Sequence, residues 1–282
     1  MNPAPTIHRF GPVELHNHSN ELSGLATIRL CDPDRRQALG SAMFDGLELA
    51  IEKCEALTGS SRFHPLSEPP PANAVRVVMM ESNGTTFCSG FDLRALVDDP
   101  DPSQPLLASF LRRLAGCLRR LRALPAVSVS VVQGPALAGG CALATACDLT
   151  IASPDACFGY PTHLLGVSPA VSGPVFHARS NSARPAFLEG EKIDAATALQ
   201  RGIVWALAPH TDQLASLARQ TAMSLLAKGP RALAATKQWL LDHDDCVNHK
   251  SLQNALQASL SLVGGEESRR LVRHATSARP RA

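Results

Sequence analysis

The chain is poor in aromatic residues, which make up 4% of its 282 residues and include a single tyrosine, Tyr160. It has no CxxC pair, and its eight cysteines, at 31, 54, 88, 117, 141, 147, 157 and 246, show no Cys/His spacing suited to zinc. No metal site is therefore expected, and the thiols are expected to be buried in a reducing, cytoplasmic setting. No window approaches the ~18 apolar residues of a membrane-spanning helix, and MNPAPTIHRFGPVELHNH lacks the apolar core of a secretory signal, so no membrane is expected as partner. Charge of one sign is also lacking. Lys and Arg number 27 against 25 Asp and Glu, and a net +2 is too small to argue for nucleic acid. The partner expected is a small molecule.

With 45% hydrophobic and 18% charged residues, the length allows one large domain, or a domain with a helical appendage, around a sizeable core. LATIRL (25–30) reads as a strand, followed by a CDPDRRQ turn and an apolar-periodic helix from Ala38 to Leu57. The proline-rich 58–74 stretch reads as a loop insertion. VRVVMM (75–80), AVSVSVV (126–132) and DLTIA (148–152) read as strands covered on both faces, and FGYPTHLLG adds a short extended piece. From Leu107 the stripe Leu111, Leu114, Leu118 and Leu121 marks a helix, with Arg112, Arg113, Arg119, Arg120 and Arg122 mainly off it, as on a solvated face. Beyond Ala206 only helices are expected, at 212–227, 230–241 and 251–263. The fold class expected is α/β, with a core over 1–205 and a helical C-terminal region over 206–282 that ends in a flexible tail.

QGPALAGGCALATACD (133–148) carries the most chemical information. A buried-strand pattern runs into Gly139-Gly140 and then directly into a helical pattern. Without a Cβ, glycine lets main-chain N–H groups approach a ligand closely, and a helix start concentrates partial positive charge there. Such a site can hold a developing oxyanion.

DPDRRQALGSAM, FCSGFDL, QGPALAGGCALATACDLTIAS, FGYPTHLLGVSPAVSG and EGEKIDAATALQRGIVWAL, in this order, resemble the crotonase, or enoyl-CoA hydratase/isomerase, family. The resemblance implies a core of repeated ββα turns, a helical C-terminal trimerisation region giving a homotrimer or hexamer, and an acyl-CoA thioester as ligand. CoA then enters as part of the substrate, and no separate cofactor is implied. By position, the main-chain N–H groups of Phe91 and Gly139 would polarise the thioester carbonyl, one such donor being worth about 3 kcal/mol. Phe91 stands where the family usually has a small residue; its N–H is unaffected, and its ring would reshape the pocket. The CoA moiety would lie along the turn of Arg35, Gln37 and Ala38 and the loop of Ser89, Gly90 and Leu93. Arg35 is either a phosphate contact or a surface turn charge.

The family's hydratases carry two glutamates, at positions that correspond here to Ala142 and Thr162. Alanine exchanges no proton, and a threonine hydroxyl is too weak an acid for this work near neutral pH. Efficient hydration of a 2-enoyl-CoA is therefore not expected. If residues 158–166 are extended, Tyr160 and Thr162 share a face toward the site and His163 points away. Tyr160 is then either a hydrogen-bond donor or acid, or a packed core tyrosine; His163 reads as structural. Asp92 and Asp148 read as local braces, and Ser168 and Ser172 lack a neighbouring base. Two functions remain open. One is an enzyme acting through an enolate, as decarboxylase, hydrolase or isomerase; the other is a non-catalytic acyl-CoA-binding or assembly subunit.

Overall fold

A computed structural model describes residues 4–59, 74–101, 103–173, 187–190, 192–244 and 249–277. Most of the proline-rich 58–74 insertion and Cys246 lie outside the described residues. The strands are β1 (Thr6–Phe10), β2 (Val13–Asn17), β3 (Leu25–Leu30), β4 (Val77–Ser82), β5 (Val127–Val132), β6 (Ala136–Leu137), β7 (Leu149–Ala152), β8 (Cys157–Gly159), β9 (Lys192–Asp194) and β10 (Ala206–Leu207). The helices are α1 (Ser41–Leu57), α2 (Leu93–Asp98), α3 (Pro105–Ala123), α4 (Gly139–Ala146), α5 (Ala195–Gln200), α6 (Leu214–Leu226), α7 (Pro230–His243), α8 (His249–Leu260) and α9 (Glu266–Ser277).

Seven strands form one sheet in the order β1-β2-β3-β4-β5-β7-β10, antiparallel as far as β3 and parallel beyond it. Its central strands alternate between two apolar layers. Ala26, Ile28, Val78 and Met80 face a core that includes residues of α1, α3 and α4; Leu25, Val77, Met79 and Val129 face a second core closed by α6. Coverage on both faces is why these strands read as continuous apolar runs. A second sheet, β6-β8-β9, carries the stretch that leads into Gly139.

The expected boundaries shift for identifiable reasons. Helix α1 begins at Ser41 rather than Ala38 because Leu39 forms a bridge with Phe91, with Leu39 N–H donating to the Gly90 carbonyl at 2.8 Å. Residues 161–165, expected to be extended, form a 3-10 turn that starts at Pro161, since proline supplies a helical φ at a first-turn position. The sheet runs on to Ala206–Leu207, past the point where only helices were expected. A further helix, Glu266–Ser277, follows the expected ones, and Val272 there is 2% exposed.

The arginine-rich side of α3 is not a solvated face. Only Arg112 and Arg119 are exposed. Helix α1 packs alongside α3, so Arg113 reaches Asp45 at 2.6 Å and Glu48 at 2.7 Å, and Arg120 reaches Glu55 at 2.7 Å. Arg122 is buried and paired with Asp244. The seven described cysteines are free; five are buried, and Cys31 and Cys157 are half-buried.

Asp148 ties the main sheet to α7. Its Oδ2 accepts from the Ser128 main-chain N–H at 2.7 Å and lies 2.7 Å from Lys237 Nζ, which also donates to the Ala126 carbonyl at 2.8 Å. Lys237 is buried, so Asp148→Ala strands an ammonium group away from water. Loss of about 3 kcal/mol is expected in denaturant titration, with part of it restored in Asp148→Ala/Lys237→Met. An exposed ion pair would give well under 1 kcal/mol.

Candidate functional site

Two glycines set the geometry at the start of α4. A Cβ on Gly140 would stand 2.2 Å from the Cys88 carbonyl oxygen, so only glycine lets α4 press against the 88–91 segment. Gly90 adopts φ +91°, and a Cβ there would lie 3.6 Å from the Gly139 nitrogen. The segments before the two candidate donors therefore abut. Between them, Ala138 takes φ 50° and ψ −118°, a conformation that is strained for a non-glycine residue. It is held by Ala138 N–H donating to the Gly159 carbonyl at 2.8 Å and by its own carbonyl accepting from Ala142 N–H at 3.0 Å. The neighbouring Leu39–Phe91 bridge uses Leu39 N–H and Asp92 N–H, not Phe91 N–H. Neither Phe91 N–H nor Gly139 N–H meets an acceptor among the described residues.

Phe91 and Gly139 both lie on the wall of a cavity of about 250 Å³. Leucines of α2 and α3, among them Leu93, Leu96, Leu111 and Leu114, line one side; the 160–172 segment lines another, and Val272 of α9 contributes from the far end of the chain. The Phe91 ring also packs against Phe44 and Phe110, with centroids 6.3 and 5.7 Å away.

The residues placed by resemblance are distributed unequally. Ser89, Phe91, Leu93, Gly139, Tyr160 and Thr162 line the cavity; Arg35, Gln37, Ala38, Gly90 and Ala142 do not. Ala142 is fully buried. Gln37 is 0% exposed, its amide donating to Asn83 O and Oδ1 while its Oε1 accepts from Asp32 N–H. Its main chain is engaged as well, the N–H donating to the Asp32 carbonyl at 2.9 Å and the carbonyl accepting from Cys88 Sγ at 3.1 Å, so Gln37 presents no group to a ligand in this conformation. Arg35 is exposed and 3.9 Å from Asp92, whose carboxylate caps α2 by accepting from Arg94 N–H and Ala95 N–H. Thus Asp92 braces its loop.

Thr162 is 9% exposed, and its Oγ1 has no hydrogen-bond partner among the described residues. His163 is exposed, with Nε2 on the Phe187 carbonyl. Tyr160 and Thr162 thus share the cavity wall and His163 does not, through a 3-10 turn rather than a strand. Tyr160 is 1% exposed, and its ring lies 4.7 Å from that of Phe187. Burial is the main cause, and Cys141 a lesser one, holding the Tyr160 phenol well above the ordinary 10.0. It can donate a hydrogen bond and cannot serve as a base. Ser168 caps the following turn through Ala170 N–H. Sequence reasoning missed Lys192 and Val272 as cavity residues. Nothing in EGEKIDAA separates Lys192 from an ordinary surface charge.

The layered sheets, the short second sheet and the glycine-rich entry to α4 define the α/β crotonase-like fold class, which solved structures share. An enoyl-CoA hydratase/isomerase from Xanthobacter autotrophicus Py2 superposes with a TM-score of 0.78 at 25% identity, covering 96% of this chain and 94% of that one. In fold alone, a putative polyketide biosynthesis enoyl-CoA hydratase from Bacillus subtilis is similar, with a TM-score of 0.76, 19% identity and coverage of 96% and 99%. In sequence, a probable enoyl-CoA hydratase of Mycobacterium leprae is 30% identical over 213 residues, covering 73% of this chain and 77% of the relative. The 2,3-dehydroadipyl-CoA hydratase of Escherichia coli is 30% identical over 237 residues, covering 83% and 82%. The family profile described as enoyl-CoA hydratase/isomerase matches residues 20–264. The chain belongs to the enoyl-CoA hydratase/isomerase family.

Three outcomes are expected from these observations. Gly140→Ala pushes a methyl group into the Cys88 carbonyl and is expected to cost about 1–3 kcal/mol or more by thermal or denaturant melting. Gly116→Ala, on α3 with nothing within 4 Å of the added carbon, is expected to gain up to about 1 kcal/mol. Because Tyr160 is the only tyrosine, tyrosinate absorbance reads it alone. The folded protein is expected to show no ionisation as pH passes the ordinary 10.0, with the signal appearing only on unfolding. A phenol pKa raised in the folded state favours folding below the unfolded value; that stability declines as pH rises above it.

Proposed function

We propose that the cavity binds an acyl-CoA thioester with its carbonyl oxygen held by the N–H groups of Phe91 and Gly139, and that the reaction served is not the hydration of a 2-enoyl-CoA. The observation carrying this reading is the pair of unpaired N–H groups on the wall of a cavity whose described lining residues include no carboxylate and no imidazole. Two donors aimed at one oxygen favour an enolate, because its negative charge grows on that atom. Without a carboxylate or imidazole, addition of water lacks the group that would deprotonate it. Ala142 and Thr162, at the positions of the family's glutamates, are consistent with that lack.

Decarboxylation, hydrolysis or isomerisation remain as the chemistry. Decarboxylation suits the site best. The bond from the α-carbon to a carboxylate breaks, CO2 leaves, the electron pair forms the enolate held by the two N–H groups, and water supplies the proton that completes the product. No side-chain base is needed to start it. Tyr160, held protonated, supplies at most a hydrogen bond. By resemblance, Arg35, Ala38, Ser89, Gly90 and Leu93 lie along the CoA path, and the buried Gln37 braces the turn beneath it. The 2,3-dehydroadipyl-CoA hydratase likeness supports a CoA ester as ligand.

The same lack of a carboxylate and an imidazole supports a second reading, a subunit that binds acyl-CoA without turning it over. A cytoplasmic setting is supported by free thiols, with Cys54, Cys88 and Cys117 each pushed up to about 12 mainly by burial. Assembly as a homotrimer or hexamer is supported by exposed Trp205 and Trp239, at 54% and 56%.

Incubation with malonyl-type, enoyl- and β-ketoacyl-CoAs, followed by mass spectrometry, tests these readings. Conversion of a member other than the enoyl-CoA is expected. Crotonyl-CoA hydration is expected at least about 100-fold below a typical enzyme rate, since each lost acid–base group removes about 10²- to 10⁴-fold. Ordinary hydration rates would overturn the proposal. Binding with no conversion anywhere would leave the non-catalytic subunit.

A further inference from the structure

Lys192 is the one charged side chain among the described residues lining the cavity. Its place is fixed by the register of the small sheet. Leu137 pairs with Gly159, and Gly159 pairs with Lys192, so these three share one rung, and Leu137 and Lys192 both line the cavity. On the other side of Leu137, the Cys88–Ala136 bridge brings Ser89 alongside it. Ser89 and Lys192 therefore stand at opposite edges of this ladder, three strand spacings or roughly 14 Å apart. Phe91 and Gly139 lie near the Ser89 edge, where the CoA path enters. Lys192 lies beyond them, two spacings or roughly 10 Å from Leu137.

Thr162 is the second polar group at the Lys192 end. It follows β8 in the turn that begins where β9 opens with Lys192. Its buried Oγ1 has no partner among the described residues and lies in a residue that lines the same cavity. Lys192 likewise has no ion pair among them. A saturated, neutral acyl chain would leave the buried Thr162 Oγ1 without a partner and gain nothing from the solvent-exposed Lys192 ammonium, whereas a carboxylate accepts from both.

We propose that the acyl group bound here carries a carboxylate, and that Lys192, with Thr162 Oγ1 beside it, selects it. This deepens the acyl-CoA reading and rests on it. Lys192 acts on specificity and not on bond breaking: a carboxylate held at its ammonium fixes the acyl chain across the cavity, while the thioester oxygen is held at the opposite edge.

The test is direct binding, by calorimetry at fixed ionic strength, of dicarboxylic and monocarboxylic acyl-CoAs matched in carbon number: malonyl with propionyl, succinyl with butyryl, glutaryl with pentanoyl, and free CoA as reference. At least one dicarboxylic member is expected to bind about five- to tenfold tighter than its neutral match. Lys192→Met is expected to erase that preference while leaving the neutral thioesters and free CoA unchanged; Lys192→Arg is expected to keep it, and Thr162→Val to reduce it. Lys192 is exposed, so its replacement is not expected to disturb folding. Equal affinity within every pair overturns the proposal, as does a Lys192→Met variant that weakens free CoA as much as the dicarboxylic esters, which would make Lys192 a contact for CoA phosphates. Failure of every thioester and of free CoA to bind would instead remove the acyl-CoA reading, and this proposal with it.

Discussion

The site depends on one close approach: the first turn of α4 against the backbone of Cys88. Because position 140 has no side chain, the Cys88 carbonyl can sit where a Cβ would be. That proximity places the Phe91 loop next to the Gly139 nitrogen, and the strained Ala138 is the cost at the junction. The conformation holds because its N–H and carbonyl are each tied to a different element, β8 and α4. Local strain and local pairing are thus two sides of the same arrangement. The N–H groups left over belong to Phe91 and Gly139, both on the cavity wall.

Around this junction, charge is used for bracing. Arg113 and Arg120 tie α3 to α1, Arg122 ties it to Asp244 beyond α7, and Lys237 ties α7 to the sheet through Asp148. Helix α3 also supplies Leu107, Leu111 and Leu114 to the cavity wall. The wall's position is therefore set by ion pairs on the helix's outer side and by apolar contacts on its inner side. The short-range pattern of α3 shows the leucine stripe but not the acidic partners on α1, which are 65 residues or more distant in sequence. This is why the arginines read as a solvated face.

The same distinction explains what could be read elsewhere. Strand β3 and the helix after Gly139 were legible because apolar alternation and a glycine pair are local signals. The 3-10 turn at Pro161 was missed as a turn, yet the sides assigned to Tyr160, Thr162 and His163 agree with their exposure, since a tight turn also separates neighbouring residues. Gln37 shows the limit of transfer by motif. Its residue type suits a ligand contact, but two hydrogen bonds to Asn83 and one from Asp32 N–H commit its amide to bracing the loop. Lys192 and Val272 became part of the site only through strand register and the return of the C-terminal helix, and no window of sequence contains those relations.

The return of that helix has a temporal consequence. Gln104, buried in the turn before α3, accepts through Oε1 from Gly264 N–H at 2.9 Å and from Ser268 Oγ at 3.1 Å. It thereby seats α9, whose Val272 completes the cavity wall. On a ribosome, the junction of Gly139 with the Phe91 loop can form while α9 is still being made, but the pocket stays open on that side until residues beyond 272 have emerged. Competence to enclose a ligand is therefore acquired later than the junction on which the site depends.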